Sequence, residues 1–483
     1  MRLTYIFTSL VLVLRCIALV ILAPVAVAFY YRDWSSSVPF FAASLLCIVL
    51  SFLFRTKTDT FESLNDIKKS EALCVVALSW LIFSFIGMIP YIYFGLSPLN
   101  SLFESVSGIT TTGATILTHF DYPKTMFFWR SMSQWLGGMG IIVLFIAILP
   151  QFAVAGRQMF FAEAPGPTED KITPRIRHTA GAVWTIYLIV TLMEILLLRI
   201  AGMPLFDAFC NSFSTLAGGG FSPNPQSIMG YHSSIICWIM IFFMFIAGVN
   251  FALIYKVYLN KKPSLLLKNE EFCTYAGIIL VFSLIIAFLL YFSGSYHLFD
   301  SLTAGFFQTI SVILTAGFAS VDFSQWHLNA QLFLFCLFFI GACSGSAGGG
   351  MKVVRWLFLF KYLKRELAKI LHPNAVYPLK INKNIIPVEV IQQIIGFIFF
   401  YFLIFGISAF IIAILENNAI LGVTGSITTL GNVGPGFGVI GPMGTFDMLH
   451  PVSKALCIFN MLVGRLELIP FLAVLHPDFW NIK

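Results

Sequence analysis

Four stretches free of Lys and Arg hold the residues most suited to chemistry: "FESVSGITTTGAT" (103–115), "FCNSFSTLAGGGFS" (209–222), "FFQTISVILTAGFAS" (306–320) and "VTGSITTLGNVGPGFG" (423–438). Setting their glycines in register aligns Gly113, Gly220, Gly317 and Gly434, which lie 107, 97 and 117 residues apart. These loops offer backbone carbonyls and small hydroxyls rather than nucleophiles. Such oxygens can replace the hydration shell of a cation without trapping it. Glycine at the shared position lets the backbone adopt conformations barred to other residues and lets four chains approach closely. A single such glycine reads equally well as a close-packing position between membrane helices. Four in register favour an oxygen cage around a monovalent cation.

The elements that must position these loops follow from composition. The chain has 483 residues, 58% hydrophobic and 11% charged, with 52 Phe and a mean hydropathy of +0.89. So much apolar surface requires lipid as solvent. Apolar runs near the ~20 residues that cross a bilayer recur at 3–31, 73–94, 181–201, 232–255, 273–292, 329–344, 394–415 and 455–475. The first is too long for a signal peptide and reads as a retained helix. The expected fold class is all-α integral membrane, with four helix–pore-loop–helix repeats around a pseudo-fourfold pore and two additional N-terminal transmembrane helices. That division gives residues 1–70 to the extra helices, 71–160 to repeat 1, 161–270 to a cytoplasmic loop and repeat 2, 271–370 to repeat 3 and 371–483 to repeat 4. It implies ten full crossings and four re-entrant segments. A pore segment of roughly 10 residues spans about 15 Å as a helix, half the hydrocarbon core. The irregular backbone beyond it is tolerated only inside protein or against a water-filled cavity. The C-terminal ends of the short helices would also turn partial negative charge toward the centre, as a cation needs.

Lys and Arg collect in 55–69, 157–177, 256–268 and 352–383 and are absent from 95–123, 202–231, 293–328 and 415–450. The positive-inside rule makes the first set, and the N-terminus, cytoplasmic. The nine Cys show no CxxC pair or metal-ligand spacing and read as packing thiols.

Two further constellations stand out. In "GACSGSAGGGMKVVR" (341–355) five glycines within ten residues destroy helix propensity in the second helix of repeat 3. A phosphate loop is excluded by the wrong spacing and the lack of a preceding strand, which leaves a packing kink or a break that lines the pore. In "GRLELIP" (464–470) Arg465 and Glu467 are costly in lipid and face a partner or a cavity. Two residues apart on a helix, they diverge by about 200° and cannot simply pair with each other. Arg465 therefore either faces the pore below the loops or joins an ion pair between helices. Glu104 is placed to pair with Arg130 or to orient the first pore helix, and Asp207 and Asp300 read as N-caps or first-turn acids. Arg15 and Glu194 have no identifiable partner.

The "TTTGAT" element, the later register glycines and the four repeats resemble the Trk/Ktr/HKT superfamily of potassium transporters. "HPNAVYP" (372–378), "APGP" (164–167), the leading helices and the length point to its TrkH branch. The resemblance covers essentially the whole chain. It implies a single-chain pseudo-tetrameric pore, a homodimer in the bacterial inner membrane, and potassium held by backbone carbonyls at Thr111, Thr112, Gly218, Gly219, Thr315, Ala316, Asn432 and Val433. In this superfamily a serine at the first filter glycine accompanies sodium permeability. Gly113 and its three counterparts therefore place this chain on the potassium side, where carbonyl chemistry alone says monovalent cation. The resemblance also makes Ser344, Gly345, Ser346, Ala347, Gly348, Gly349 and Gly350 an intramembrane gating loop, and Arg465 a pore-facing barrier. It further implies a cytosolic TrkA-type ring responsive to ATP, ADP or NAD, docked near the basic segment 352–369, which otherwise reads as an anchor at the inner surface.

The sequence holds no phosphate loop, aspartyl-phosphorylation motif or sizeable soluble domain, so no ATPase and no organic cofactor is expected in this chain. The drive is the ion gradient and the membrane voltage, about 2.3 kcal/mol per charge per 100 mV. An intramembrane protease built around Ser344 would need a general base at membrane depth, and none of the eight His is suitably placed. Nucleic acid is not an expected partner. Within transport, a sodium-permeable or proton-coupled symporter of the same fold is the alternative.

Overall fold

The computed structural model describes residues 3–54, 69–147, 172–294 and 296–467. The 164–167 loop and the last part of 464–470 lie outside them. The described chain is helical, with one small exception. At 380–385 a two-stranded antiparallel hairpin pairs Lys380 with Ile385 and Ile381 with Asn384. Its turn residues, Asn382 and Lys383, both have positive φ. This hairpin is the one departure from the all-α expectation. It sits in the connection between repeats 3 and 4, where Pro378 and Pro387 stop helices from forming.

Each repeat consists of an outer helix, a pore helix, an irregular loop and an inner helix. The outer helices are Lys69–Gly87, Ile172–Ile200, Glu270–Phe292 and Val388–Glu416. The pore helices are Pro98–Ile109, Leu205–Ala217, Leu298–Ile313 and Ala419–Leu430. The inner helices are Lys124–Ala147, Ser234–Ala247 continued by Phe251–Asn260, Leu328–Leu337 continued by Val353–Leu371, and Pro451–Arg465. Among the described residues, six helices are long and apolar enough to cross a membrane: the four outer ones, here counted from Leu73, Gly181, Glu270 and Val388, and the N-terminal Ile6–Tyr31 and Ser35–Leu53. The inner helices carry the charges of Arg130 and Arg465 on buried faces, where polar groups find protein partners, while Ile235, Phe242 and Leu332 of the second and third stay exposed.

The pore helices have 12, 13, 16 and 12 residues, so the third is longer than the roughly 10 expected from sequence. Ser97 caps the first by accepting the Asn100 N–H, and Asn418 caps the fourth by accepting that of Leu421. Asp207 and Asp300 lie in the first turns of the second and third but are not their caps, which are Pro204 and His297.

The apolar run 232–255 is not one straight crossing. Its two helical parts meet at 90° across Gly248–Asn250, where Asn250 starts the second part by accepting the N–H groups of Ala252 and Leu253. The third inner helix stops earlier than its glycines suggest, at Leu337, and resumes at Val353.

The repeats are joined in a consistent rotational sense. The inner helix of repeat 1 packs on the pore helix of repeat 2, that of repeat 2 on the pore helix of repeat 3, and that of repeat 4 on the pore helix of repeat 1. At the remaining junction the broken third inner helix sends its loop instead. A Cβ on Gly349 would lie 2.9 Å from Asn432 Cβ and 3.0 Å from the Gly431 carbonyl oxygen. The two N-terminal helices, joined by a bond from Ser44 Oγ to the Ala18 carbonyl, lie against repeat 1. Six of the Cys are buried, whereas Cys16, Cys273 and Cys336 lie exposed on the surface, a correction to the packing reading for those three.

Candidate ion filter and gate

The four loops form a closed ring. A Cβ added to Gly113 would lie 2.0 Å from the Gly219 carbonyl oxygen, and one on Gly220 would lie 1.9 Å from that of Ala316. One on Gly317 would lie 2.2 Å from the Val433 oxygen, and one on Gly434 would return to repeat 1 at 2.6 Å from Thr112. The order is therefore 1, 2, 3, 4 and back to 1, with repeats 1 and 3 opposite each other. Each glycine touches the carbonyl of the residue that precedes the next repeat's glycine. No side chain fits at those contacts.

The backbone alternates in the same way in every quarter. Thr111, Gly218, Thr315 and Asn432 have φ of 52, 66, 63 and 54°, and the register glycines have φ of 79, 76, 70 and 97°. Left-handed geometry at Thr111, Thr315 and Asn432, three non-glycine residues, costs about 1–2 kcal/mol each and is held by returning hydrogen bonds. The N–H groups of Thr112, Gly219, Ala316 and Val433 donate to the carbonyls of Ser107, Ser214, Ser311 and Thr428 at 2.7–2.9 Å. All eight expected carbonyl-bearing residues and the four glycines thus meet in one ring at the C-terminal ends of four pore helices, where the helix dipoles favour a cation.

On one side the ring opens into a cavity of about 70 Å³ lined by Gly113, Gly220, Gly317, Pro435 and Arg130 among others. On the other side lies the glycine-rich loop. The Gly349 N–H donates to Thr315 Oγ1 at 2.6 Å, and a Cβ on Gly348 would meet the Leu314 carbonyl at 2.7 Å. The loop's ends are tied together by Gly341 N–H to Met351 O (2.8 Å) and Val353 N–H to Ala342 O (3.2 Å). Further bonds fasten it to the broken inner helix of repeat 2: Cys343 N–H to Gly248 O, Ala347 N–H to Ala247 O, and Phe251 N–H to Gly345 O. The Ser344 N–H donates to Glu271 Oε1 at 2.6 Å, Ser346 Oγ to the Cys343 carbonyl, and Lys352 Nζ to the Gly348 carbonyl. Apart from the half-buried Ser344 and Gly350, the residues of 344–350 are buried.

Arg465 reaches this loop. Its Nη1 donates to the Ala347 carbonyl at 3.0 Å and its Nη2 to the Gly137 carbonyl of the first inner helix at 3.5 Å. Among the described residues no carboxylate pairs with it, and its Nε has no partner.

A family model described as "Cation transport protein", TrkH, matches residues 36–478. The chain belongs to the TrkH family. The TrkH potassium uptake protein of Salmonella typhimurium is 38% identical over 467 residues, covering 95% of each chain. That of Escherichia coli K12 is 37% identical over the same share. The crystal structure of the potassium transporter TrkH from Vibrio parahaemolyticus aligns at a TM-score of 0.90 with 33% identity, covering 99% of this chain and 100% of that one. An integral membrane transporter of four helix–pore-loop–helix repeats follows, as the resemblance implied.

Several residues of this TrkH-family chain that sequence reading left open now have places. Glu104 and Arg130 form a buried pair at 2.7 Å behind the first loop, with Arg130 also donating to Thr115 Oγ1 and lying 4.0 Å from the Phe221 ring centroid. Glu104 in turn accepts the Ile116 N–H. Glu467 pairs with Arg355 of repeat 3, whose guanidinium stacks 3.7 Å from the Phe397 centroid. Arg15 is exposed, and Glu194 is buried with neither oxygen bonded among the described residues.

The side-chain amides of Gln134 and Asn432 also bind the loops, beyond the carbonyl role expected of Asn432. Gln134 donates to the Gly219 carbonyl at 2.6 Å and accepts the Phe221 N–H at 3.1 Å, so one side chain brackets the second loop. The Asn432 side chain donates to Thr112 Oγ1 and to the Met461 carbonyl, both at 2.9 Å. A buried amide at membrane depth, in the inner helix for Gln134 and in the repeat 4 loop for Asn432, was the available signal, since such a group requires partners.

Proposed function

We propose that this protein takes up potassium across a bacterial inner membrane through the four-loop ring. The observation that carries this reading is the closure of the ring, in which four glycines are each pressed against the next repeat's carbonyl. In this reading Thr111, Thr112, Gly218, Gly219, Thr315, Ala316, Asn432 and Val433 present carbonyls to the ion, and glycine at all four register positions supports potassium over sodium. An inside-negative membrane voltage pulls the ion inward.

Beneath the ring, the 344–350 loop and Arg465 form the gate. The loop fills the space under the third and fourth loops, and Arg465 places a positive charge beside it, which opposes a cation until it moves. The loop is bound by discrete backbone and single side-chain hydrogen bonds, from the bent inner helix of repeat 2 and from Glu271, Thr315, Lys352 and Arg465, rather than by a continuous packed helix, so it can move without unwinding one. We assign its movement to a cytosolic TrkA-type nucleotide-binding ring docked near the basic helix Val353–Leu371, which continues directly from the loop. The names of the relatives as parts of a "Trk system" support such a partner. A homodimer with a cytoplasmic N-terminus completes the reading.

Rescue of a potassium-uptake-deficient strain at low external potassium tests the reading, with the soluble ring protein co-expressed. Growth with the wild-type chain, and raised sodium entry with Gly113→Ser, are expected. Failure of the wild type to rescue overturns the proposal.

A further inference from the structure

The four pore helices carry a hydroxyl residue six positions before each register glycine: Ser107, Ser214, Ser311 and Thr428. Their backbone carbonyls do the same work in each repeat, but their hydroxyls do not. Ser107 Oγ donates to the Ala114 carbonyl at 2.6 Å, and Ser311 Oγ donates to the Phe318 carbonyl at 2.8 Å. Each acceptor is the residue immediately after the register glycine. Ser107 and Ser311 therefore hold their loops on both sides of that glycine, one side through the backbone and the other through the hydroxyl. Thr428 Oγ1 instead turns back to its own helix, onto the Thr424 carbonyl at 2.8 Å, and Ser214 Oγ has no partner among the described residues.

The two hydroxyl struts thus belong to repeats 1 and 3, which face each other across the ring. The repeat 2 loop is held by the Gln134 amide, and the repeat 4 loop by its own Asn432 amide. A seryl hydroxyl has one rotatable bond between its oxygen and the helix backbone, whereas Asn and Gln side chains have more and are longer and more adaptable. A strut that short ties the loop directly to a rigid helix.

We infer that Ser107 and Ser311 are positioning residues that fix the width of the ion path along the diagonal joining repeats 1 and 3, and thereby contribute to discrimination among monovalent cations. The inference rests on the proposed function. By drawing the Ala114 and Phe318 carbonyls back toward the pore helices, the struts keep both loops from collapsing onto a smaller ion. Repeats 2 and 4, held by longer amides, tolerate more movement.

The test is the ratio of sodium to rubidium uptake in vesicles holding the full-length chain, normalised to inserted protein. Ser107→Ala and Ser311→Ala should each raise that ratio about fivefold, the Boltzmann weight of one lost net hydrogen bond, and Ser107→Thr, which keeps the hydroxyl, should restore it. Ser214→Ala, which removes a hydroxyl with no partner among the described residues, should leave the ratio unchanged. If both alanine variants change only the amount of inserted protein or the overall rate, with the ratio unmoved, or if Ser214→Ala moves it equally, the inference falls. If one variant fails to insert, the other reports on the same diagonal. A wild-type chain that carries neither ion would sink the proposed function instead.

Discussion

Gly220→Ala tests the ring most sharply. Gly220 has φ of 76°, a left-handed conformation that costs an L-residue about 1–2 kcal/mol. Its new Cβ would sit 1.9 Å from the Ala316 carbonyl oxygen, whereas ordinary contact begins near 3.4 Å. The two backbones must part by about 1.5 Å, and neither has a flexible side chain to yield. Overpacking of this kind adds about 1–3 kcal/mol. The total, about 2–5 kcal/mol, corresponds to at least a thirtyfold loss of potassium uptake if it falls on the ion path, at ~1.36 kcal/mol per tenfold. Uptake per inserted protein, read with rubidium, is the assay. Gly277→Ala is the comparison: an added Cβ there meets nothing within 4 Å, so the outer helix gains about 0.5–1 kcal/mol of stability and transport is unaffected. A Gly220→Ala protein that transports at the wild-type rate would show that the ring contact is not a constraint on conduction.

Three other outcomes are expected. Glu104→Gln leaves the buried Arg130 charge uncompensated and should destabilise the protein by about 3–5 kcal/mol, seen as loss of inserted protein and a lower inactivation temperature. Arg465→Ala removes both the charge beside the loop and the donor to the Ala347 carbonyl, so flux without the cytosolic partner should rise, and an unchanged basal flux would remove Arg465 from the gate. Asn250→Ala uncaps the second half of the bent inner helix at a cost of about 1 kcal/mol. Because the adjoining Phe251 N–H holds Gly345 O, this variant too should raise basal flux, by less than Arg465→Ala does.

The register of four glycines was legible because it repeats. A weak local signal recurring at matching places in four units identifies an architecture that no single unit could. The break in the third inner helix was legible for another reason, since five clustered glycines cannot hold a helix. The bend at Gly248–Asn250 escaped notice because its flanks, "IFFMFIA" and "FALIY", are as apolar as any straight crossing. One Asn between them was the only mark of a new helix start. The partners of Glu467 and of Gln134 were out of reach for a general reason: each joins elements of different repeats, Glu467 to Arg355 across 112 positions and Gln134 to Gly219 across 85. Local periodicity constrains which face a residue occupies and says nothing about what another repeat will bring to meet it.

The contact between Gly434 and Thr112 joins the two ends of the ring across most of the chain. Domains emerge from the ribosome in order, N-terminal first. Three quarters of the ring and the 344–350 loop beneath it are therefore synthesised before the last quarter exists. In the proposed reading, a nascent chain then meets the membrane with the loop beneath the ion path already made and the path itself still incomplete. On the proposed gate, this order of synthesis guards against a leak during insertion, and a circular permutant starting in repeat 4 would lose that safeguard.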